Sequence, residues 1–423
     1  MLAMEIVPRH ATDLLIRRLQ AFRVVVVTGA RQVGKSTLAR LVLEQTGGAY
    51  LTLDDPLTLS QAVEDPDGLV AVGHGLTVID EVQRAPDVLR AVKLAVDRDP
   101  APGRFLLTGS ANLLNMRTVI ESLAGRAVYM DLPPLSWSEL RGRVRPDTLD
   151  RAFSAADAEP FVASLSAPDS GWADEARVRA LAGGMPEACR LQPDDRRAWY
   201  DSYRRTFLER DLRQLSLISS VPEFSRVMSL ALLRSGALLN RSSLAADAKV
   251  SHTTVDRYLD LLQVAYQVRL LQPFFSNLAK RHVKSPKLFA VDSAAAAWAA
   301  NFYDWRSAVA SGREGALLET FALSDVLAWD GLVGLSRYSF WRTGAGAGVD
   351  LIVERGPDVV ALEIKASVTL TRSATSGLRA LRADLGERFR MGIIAYLGEE
   401  MRTIDERVVA VPLASLLGVA GSD

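Results

Sequence analysis

The sequence predicts an α/β fold that begins with a parallel β-sheet covered by helices on both faces. Four consecutive valines at 24–27 form a strand-like run that leads into a glycine-containing loop and then a helical pattern. Apolar runs at 49–53, 76–80 and 104–107 follow, and each ends in polar residues. Strands that alternate with helices in this way form parallel sheets, because each helix returns the chain to the same edge.

Composition limits the class of protein. The chain has 423 residues, which predicts two or three domains. Lys plus Arg and Asp plus Glu both number 50, so any basic surface for nucleic acid must be local. The single cysteine, Cys189, excludes a disulfide framework and a cysteine-based zinc site, and the four histidines lack metal-ligand spacing. The charged first segment predicts an amphipathic helix, and no stretch is long and apolar enough for a membrane span, so we expect a cytoplasmic protein.

The loop after the valines carries the strongest signal. Residues 29–36, GARQVGKS, match G-x-x-x-x-G-K-[ST] at every fixed position. In such a loop the backbone N–H groups surround phosphate oxygens, Lys35 reaches the β- and γ-phosphates, and the Ser36 hydroxyl binds Mg²⁺. The alternative is a glycine-rich turn in an ordinary α/β unit. The predicted nucleotide-binding residues are Gly29, Ala30, Arg31, Gln32, Val33, Gly34, Lys35, Ser36 and Thr37.

A second phosphate-site element follows the strand at 76–80, which ends in Asp80 and Glu81. An acidic pair at this position is typical of nucleotide hydrolysis. Asp80 would hold Mg²⁺ through water, and Glu81 would orient or deprotonate the attacking water. The alternative is that the acids cap the next helix.

Two further residues are candidates for contact with the γ-phosphate. Ser110, after the strand at 104–107, is the predicted sensor, with Thr108 and Asn112 as rivals and a simple N-cap as the alternative. Arg126 follows a helical stretch and could complete the site of a neighbouring subunit as an arginine finger. The alternative for Arg126 is a solvated arginine at a helix end.

The middle of the chain predicts a DNA-binding module. Helical patterns at 226–235, 242–248 and 253–263 are followed by strand-like runs at 267–274 and 286–292, which together indicate a winged helix-turn-helix. Between 226 and 290 there are ten basic and three acidic residues, a net of +7. DNA is therefore the expected partner, and the alternative is a docking module between domains. The predicted contact residues are Thr253, Thr254 and Arg257 on the third helix and Asn277, Lys280, Arg281, Lys284 and Lys287 in the wing loop.

The last quarter of the chain contains a second candidate active site. Asp350 lies on one strand, and Glu363 and Lys365 lie on the next with the two-residue spacing that places both on one face. Two carboxylates, with Glu319 as a possible third, can bind Mg²⁺, and Lys365 can orient a water for attack on a phosphodiester. The alternative is a surface Glu–Lys pair on an edge strand.

Taken together, these motifs resemble a known family. The segments TGARQVGKST, LTVIDEVQ, LLTGSAN and SLAGR are similar to bacterial and archaeal AAA-superfamily ATPases that carry a C-terminal domain of unknown function. The resemblance implies a Mg²⁺-dependent ATPase core, a winged-helix segment and a nuclease-like C-terminal domain. In AAA-like proteins a helical lid also covers the nucleotide. From the lid, Arg210 is a candidate to touch the phosphates, with a charge pair within the helix as the alternative. By analogy with the family we expect a homo-oligomer, with a hexameric ring as one form.

The C-terminal motif resembles the PD-(D/E)xK nuclease superfamily, which includes Holliday-junction resolvases and restriction enzymes, although Val349 stands where that motif has proline. The predicted organisation is an AAA-type P-loop core at 1–145, a helical lid at 146–222, a winged helix at 223–295 and a restriction-endonuclease-like α/β domain at 296–423. We expect an ATPase coupled to binding or remodelling of DNA, including branched DNA, with metal-dependent nuclease activity left open. The alternative is an ATP-gated regulatory or protein-remodelling switch with an inactive nuclease-like interaction domain.

Overall fold

The computed structural model describes residues 6–71, 75–109, 123–206, 218, 220–275, 285–343 and 346–421. The chain folds as two compact units. The first comprises Met1–Pro134 together with Leu261–Tyr266, and the second comprises Leu135–Asp260 together with Gln267–Asp423.

The first unit is a parallel α/β sheet, as the sequence predicts. Its five strands pair in the order β2-β3-β4-β1-β5, and every pairing is parallel. The valine strand β1 is buried along its full length, because central strands of such sheets are covered on both faces. The strands are β1 Val24–Thr28, β2 Ala49–Thr52, β3 Thr77–Asp80, β4 Phe105–Thr108 and β5 Ala127–Asp131. The helices are α1 Ala11–Ala21, α2 Lys35–Thr46, α3 Pro56–Glu64, α4 Pro66–Ala71 and α5 Val88–Arg98.

The strand order determines which side chains meet at the carboxyl edge. Strand β4 lies between β1, which leads into the phosphate loop, and β3, which ends at Asp80. Strand β2 lies on the other side of β3. The ends of β2 and β4 therefore flank Asp80, although neither is close to it along the chain.

Two glycines permit the shape of the phosphate loop. Gly29 has φ of 147°, and a Cβ there would lie 2.5 Å from the backbone oxygen of Leu132. Gly34 has φ of 100° and is the N-cap of α2. L-residues rarely adopt this backbone region, so glycine is needed at both positions.

The second unit contains two sheets and most of the described helices. Its strands are β6 Ala237–Leu238, β7 Val268–Leu271, β8 Lys287–Ala290, β9 Arg337–Arg342, β10 Gly348–Arg355, β11 Asp358–Lys365, β12 Phe389–Tyr396, β13 Arg402–Asp405 and β14 Val408–Pro412. Its helices are α6 Trp137–Leu140, α7 Thr148–Ser154, α8 Ala158–Ala163, α9 Trp172–Ala182, α10 Pro193–Thr206, α11 Val221–Leu233, α12 Arg241–Ala248, α13 His252–Val264, α14 Ser293–Ala299, α15 Trp305–Ala310, α16 Glu314–Asp330, α17 Ser376–Leu385 and α18 Leu413–Leu416. The last residues of α13 group with the first unit.

The smaller sheet combines strands from both sides of a helix pair, since β6 follows α11 whereas β7 and β8 follow α13. Its strands pair antiparallel in the order β6-β8-β7, and the two residues of β6 add a strand that the sequence does not predict. Helices α12 and α13 are separated by the short turn 249–251, in which Lys249 adopts a left-handed backbone with φ of 54°.

The larger sheet has six strands in the order β13-β14-β12-β11-β10-β9. Strand β10 is antiparallel to both β9 and β11, whereas β11, β12 and β14 are parallel. One hydrophobic core joins helices of the 137–180 segment to this sheet and to α16, with Trp137, Trp172, Trp329 and Leu362 among its members. No helix in the described part of the chain is long and apolar enough to cross a membrane.

Candidate functional site

The phosphate loop holds its lysine inward. Lys35 is the first residue of α2 and is buried, with 6% of its surface exposed. Its Nζ donates hydrogen bonds to the backbone oxygens of Ala30, at 2.9 Å, and Gly29, at 3.3 Å. The ammonium therefore lies within the loop, where it can exchange these carbonyls for phosphate oxygens.

Asp80 is oriented by three hydroxyl groups. The Ser36 Oγ donates to Asp80 Oδ1 at 3.0 Å, and the Tyr50 hydroxyl donates to Oδ2 at 2.7 Å. The Thr108 Oγ1, at the end of β4, also donates to Oδ1. All three donors are neutral, so they fix the carboxylate without cancelling its charge. The adjacent oxygens of Ser36 and Asp80 are hard ligands of the kind that Mg²⁺ prefers, and this donor set fits the ion.

Glu81 follows Asp80 in an unusual backbone conformation. Its φ is 58°, in the left-handed region that non-glycine residues seldom adopt. Its carboxylate accepts a hydrogen bond from the Gln83 side chain. Strained conformations of this kind are frequent at functional sites, which agrees with the role predicted for Glu81.

Tyr50 is a component of this site that the sequence does not reveal. It lies on β2, opposite Val78 of β3, and the Arg40 guanidinium carbon lies 4.5 Å from the centre of its ring. Burial raises the pKa of the Tyr50 phenol, which keeps the hydroxyl protonated as a donor to Asp80. No motif marks a tyrosine at this position, because the contact depends on the pairing of β2 with β3.

The remaining phosphate-sensing candidates have different outcomes. Thr108 contacts Asp80, whereas Ser110, Asn112 and Arg210 lie outside the described residues. Arg126 is paired with Asp97 of α5, with Nε 2.6 Å from Oδ1 and Nη2 2.9 Å from Oδ2. This pairing raises the pKa of Arg126 and lowers that of Asp97. An arginine finger at this position would have to exchange Asp97 for a phosphate, and the role stays a prediction.

In the second unit, the predicted C-terminal residues do come together. Leu351 of β10 pairs with Leu362 of β11. Because the strands are antiparallel, their neighbours Asp350 and Glu363 lie opposite each other. The Lys365 Nζ lies 2.5 Å from Glu363 Oε1. The Asp350 Oδ2 accepts a hydrogen bond from the backbone N–H of Ile364 at 3.0 Å.

The position of Lys287 differs from its predicted place among the DNA-contacting residues of the wing loop. It is the first residue of β8, and its ammonium points into the C-terminal site. Its Nζ donates to Glu319 Oε1 at 2.7 Å and to Asp350 Oδ1 at 3.1 Å. Only 12% of its side chain is exposed, so it is not available to a DNA backbone. The prediction was wrong because it assigned Lys287 by its sequence proximity to other basic residues.

Burial dominates the electrostatics of this C-terminal site. It raises the pKa of Glu319 to about 8 and that of Glu363 to about 7, and the nearby charge of Asp350 adds to both shifts. Burial lowers the pKa of Lys287, but Glu319 and Asp350 outweigh it and the net direction is upward. The pKa of Lys365 is raised in the same way, chiefly by Glu363. Both lysines are therefore ammonium ions, placed among carboxylates.

The residues of this site do not fit a Mg²⁺ ion in their present arrangement. One oxygen of Glu319 and one of Asp350 are bonded to Lys287, and the other oxygen of Asp350 is bonded to Ile364. Over the described ranges, no three His, Cys, Asp or Glu side chains form a group that could hold a metal ion. No cleavage step through a metal follows from this geometry.

Comparisons with known proteins identify the family. Residues 21–141 match the family described as AAA domain, residues 174–305 match a domain of unknown function (DUF8612), and residues 314–416 match a domain of unknown function (DUF4143). Over 416 residues the chain is 32% identical to the uncharacterized proteins Rv2008c of Mycobacterium tuberculosis and Mb2031c of Mycobacterium bovis, which covers 98% of this chain and 86% of each relative. The chain belongs to the prokaryotic AAA-type ATPases. The resemblance of its motifs to this family is thereby confirmed.

Solved structures are more distant from this AAA-type ATPase. The Walker-type ATPase PABY2304 of Pyrococcus abyssi is 15% identical, with a TM-score of 0.43, over 70% of this chain and 96% of its own. A RuvB variant of Thermotoga maritima is 16% identical, with a TM-score of 0.27, over 61% of this chain and 87% of its own.

The local basic charge of the AAA-type ATPase is partly neutralised within the chain. Of the ten basic residues between 226 and 290, Arg234 pairs with Asp247 and Lys287 pairs with Glu319 and Asp350. A third of these ten residues, Arg241, pairs with Asp256 of α13. Thr253 and Arg257 are exposed on α13. The residues Asn277, Lys280, Arg281 and Lys284 lie outside the described part of the chain.

Proposed function

We propose that this AAA-type ATPase hydrolyses ATP with Mg²⁺ and couples hydrolysis to the binding or remodelling of DNA. The hydroxyl-oriented carboxylate of Asp80 beside Ser36, close to the inward ammonium of Lys35, is the observation that supports ATP hydrolysis. These are the groups that a P-loop enzyme needs on the metal and on the phosphates.

In the proposed reaction each residue has one task. Lys35 binds the β- and γ-phosphate oxygens, Ser36 and Asp80 hold the metal ion, and Glu81 orients the attacking water and accepts its proton. Bound Mg²⁺ would supply charge neutralisation on the phosphates. Tyr50 and Thr108 keep the Asp80 carboxylate in one orientation.

The DNA part of the proposal is supported by helices α12 and α13, which precede strands β7 and β8. A turn of three residues between α12 and α13 is typical of a helix-turn-helix, and the antiparallel pair β7–β8 follows as a wing would. Thr253 and Arg257 lie exposed on α13, where a recognition helix presents its side chains. We propose that α13 contacts DNA. Assembly as a homo-oligomer, such as a hexameric ring, belongs to the same proposal, as does a cytoplasmic location.

One observation favours a second candidate function. Lys287 neutralises two of the carboxylates that a PD-(D/E)xK nuclease would need for metal binding. An ATP-gated regulatory or protein-remodelling switch, in which the C-terminal domain is an inactive nuclease-like interaction module, agrees with this arrangement. Metal-dependent cleavage by Asp350, Glu363 and Lys365 stays a prediction from the sequence.

The steady-state ATPase rate with and without DNA distinguishes these functions. It is measured at fixed low salt with single-stranded, duplex and four-way-junction DNA, because phosphate contacts weaken with salt. Stimulation by one form, and loss of that stimulation in Arg257→Ala, would support DNA coupling. An unchanged rate with every form would favour the protein-partner alternative. No hydrolysis under any condition would contradict the ATPase proposal itself.

A further inference from the structure

We infer that the ammonium of Lys287 occupies the place of a divalent cation in the carboxylate cluster formed by Glu319, Asp350 and Glu363, and that it excludes such a cation from the site. This inference concerns the second unit and does not depend on the proposed ATPase or DNA functions.

The geometry of Lys287 is that of a bridging cation. Its Nζ contacts Glu319 of α16 at 2.7 Å and Asp350 of β10 at 3.1 Å, so one positive charge joins carboxylates from two elements. The exposed fractions of these two carboxylate side chains are 13% and 18%. The ammonium already uses one oxygen of each carboxylate, and its positive charge opposes the binding of a metal ion between the same two residues.

The third carboxylate, Glu363, has one oxygen without a hydrogen-bond partner among the described residues. Glu363 is 9% exposed, and its Oε1 is bonded to Lys365. Its Oε2 is buried and makes no hydrogen bond in the described structure. Burying such an atom without a partner costs free energy, and a cation would remove that cost. Glu363 therefore keeps one buried oxygen that a cation could use, although the described carboxylates are not arranged to hold a metal ion while Lys287 is in place.

The charges lead to the same conclusion. Lys287 is one of the two ammonium groups that compensate the three carboxyl groups of the cluster. Removal of Lys287 takes one positive charge from among these carboxyl groups, and a divalent cation could replace that charge. Lys287 comes from β8 of the smaller sheet, whereas the carboxylates lie on α16, β10 and β11. The cation of the cluster, Lys287, thus comes from a different family match (residues 174–305) than the carboxylates (residues 314–416).

Binding of Mn²⁺ to the full chain without nucleotide tests the inference. Bound ion is measured by equilibrium dialysis and by the loss of the free-ion EPR signal. We expect the unmodified protein to show no saturable Mn²⁺ site and Lys287→Met to gain one, with affinity at least tenfold above any binding to the unmodified chain. The matched control Lys287→Met with Asp350→Asn should lose the gained site.

Two results would overturn the inference. One is a Mn²⁺ site in the unmodified protein that Asp350→Asn abolishes, and the other is a folded Lys287→Met variant that gains no site. Circular dichroism establishes whether each variant is folded. If Lys287→Met does not fold, Lys287→Gln replaces it, since the amide keeps a hydrogen-bond donor, and the same gain is expected.

Discussion

The two carboxylate sites of this chain are held by opposite kinds of donor. In the first unit, hydroxyl groups of Ser36, Tyr50 and Thr108 hold Asp80. In the second unit, the ammonium of Lys287 holds Glu319 and Asp350. Both sites consist of carboxylates on strands or helices at a sheet, and both have the sequence pattern of a metal site.

The donor type decides what each site can bind. A hydroxyl satisfies a carboxylate lone pair and leaves the negative charge in place, so the oxygen can still attract Mg²⁺. An ammonium satisfies the same lone pair and cancels the charge, because the contact is also an ion pair. Two carboxylate motifs that both predict a metal site can therefore differ in what they bind, because the residue that decides the difference lies outside the motif.

The largest expected effect tests the first site. Lys35→Ala should lower the rate of ATP hydrolysis by about 10³-fold, because the ammonium that binds the transferring phosphate is lost. The measurement is the steady-state ATPase rate, with Lys93→Ala on α5 as a control for removal of a lysine from the same unit. Normal turnover in Lys35→Ala would remove the phosphate loop from the mechanism.

The next effect separates ATP binding from hydrolysis. Glu81→Gln should lower hydrolysis by about 10²-fold and keep ATP bound, because the amide cannot accept a proton from water. Nucleotide affinity is measured with a fluorescent ATP analogue and compared with the single-turnover rate. Equal loss of binding and hydrolysis would argue against a role for Glu81 as the base.

A third buried carboxylate sharpens the comparison, since it has neither a hydroxyl nor an ammonium partner among the residues that the structure describes. Asp325 of α16 accepts a hydrogen bond from the backbone N–H of Trp137 at 2.5 Å, and burial raises its pKa to about 7. The folded state therefore favours the protonated form. Its contribution to stability is complete below about pH 4, and it decreases as the pH rises through 7.

Asp325→Asn should remove this dependence on pH. Between pH 5 and pH 8 the titration of Asp325 should cost the unmodified protein about 3 kcal/mol of unfolding free energy, and the variant should lose correspondingly less. Urea unfolding at several pH values measures the difference, with the exposed Asp384→Asn as the control. An unchanged pH profile in Asp325→Asn would show that this carboxyl does not titrate in that range.

The smallest effect concerns the orientation of Asp80. Tyr50→Phe removes one neutral hydrogen bond worth about 1 kcal/mol, so kcat should fall about fivefold. The KM for ATP should stay unchanged, and a higher Mg²⁺ concentration should be needed for half-maximal rate. Tyr129→Phe on β5 is the matched control. A change in KM without a change in kcat would place Tyr50 in nucleotide binding instead.

The sequence predicted the parts of these sites that are local. The phosphate loop, the strand that ends at Asp80, and the pairing of Glu363 with Lys365 follow from spacing along one or two elements. Tyr50 and Lys287 could not be predicted in this way. The contact of Tyr50 with Asp80 depends on the order of strands in the sheet, and Lys287 reaches Asp350 across 63 residues of sequence. Such contacts are decided by packing between elements, which residue spacing does not encode.

The stoichiometry of bound Mn²⁺ tests the difference between the two sites most directly. It is measured on the unmodified full chain by equilibrium dialysis, with and without a non-hydrolysable ATP analogue. Our account predicts one ion per chain with the analogue, held at Ser36 and Asp80, and none without it. Two ions per chain with the analogue, or one that remains without it, would contradict the account.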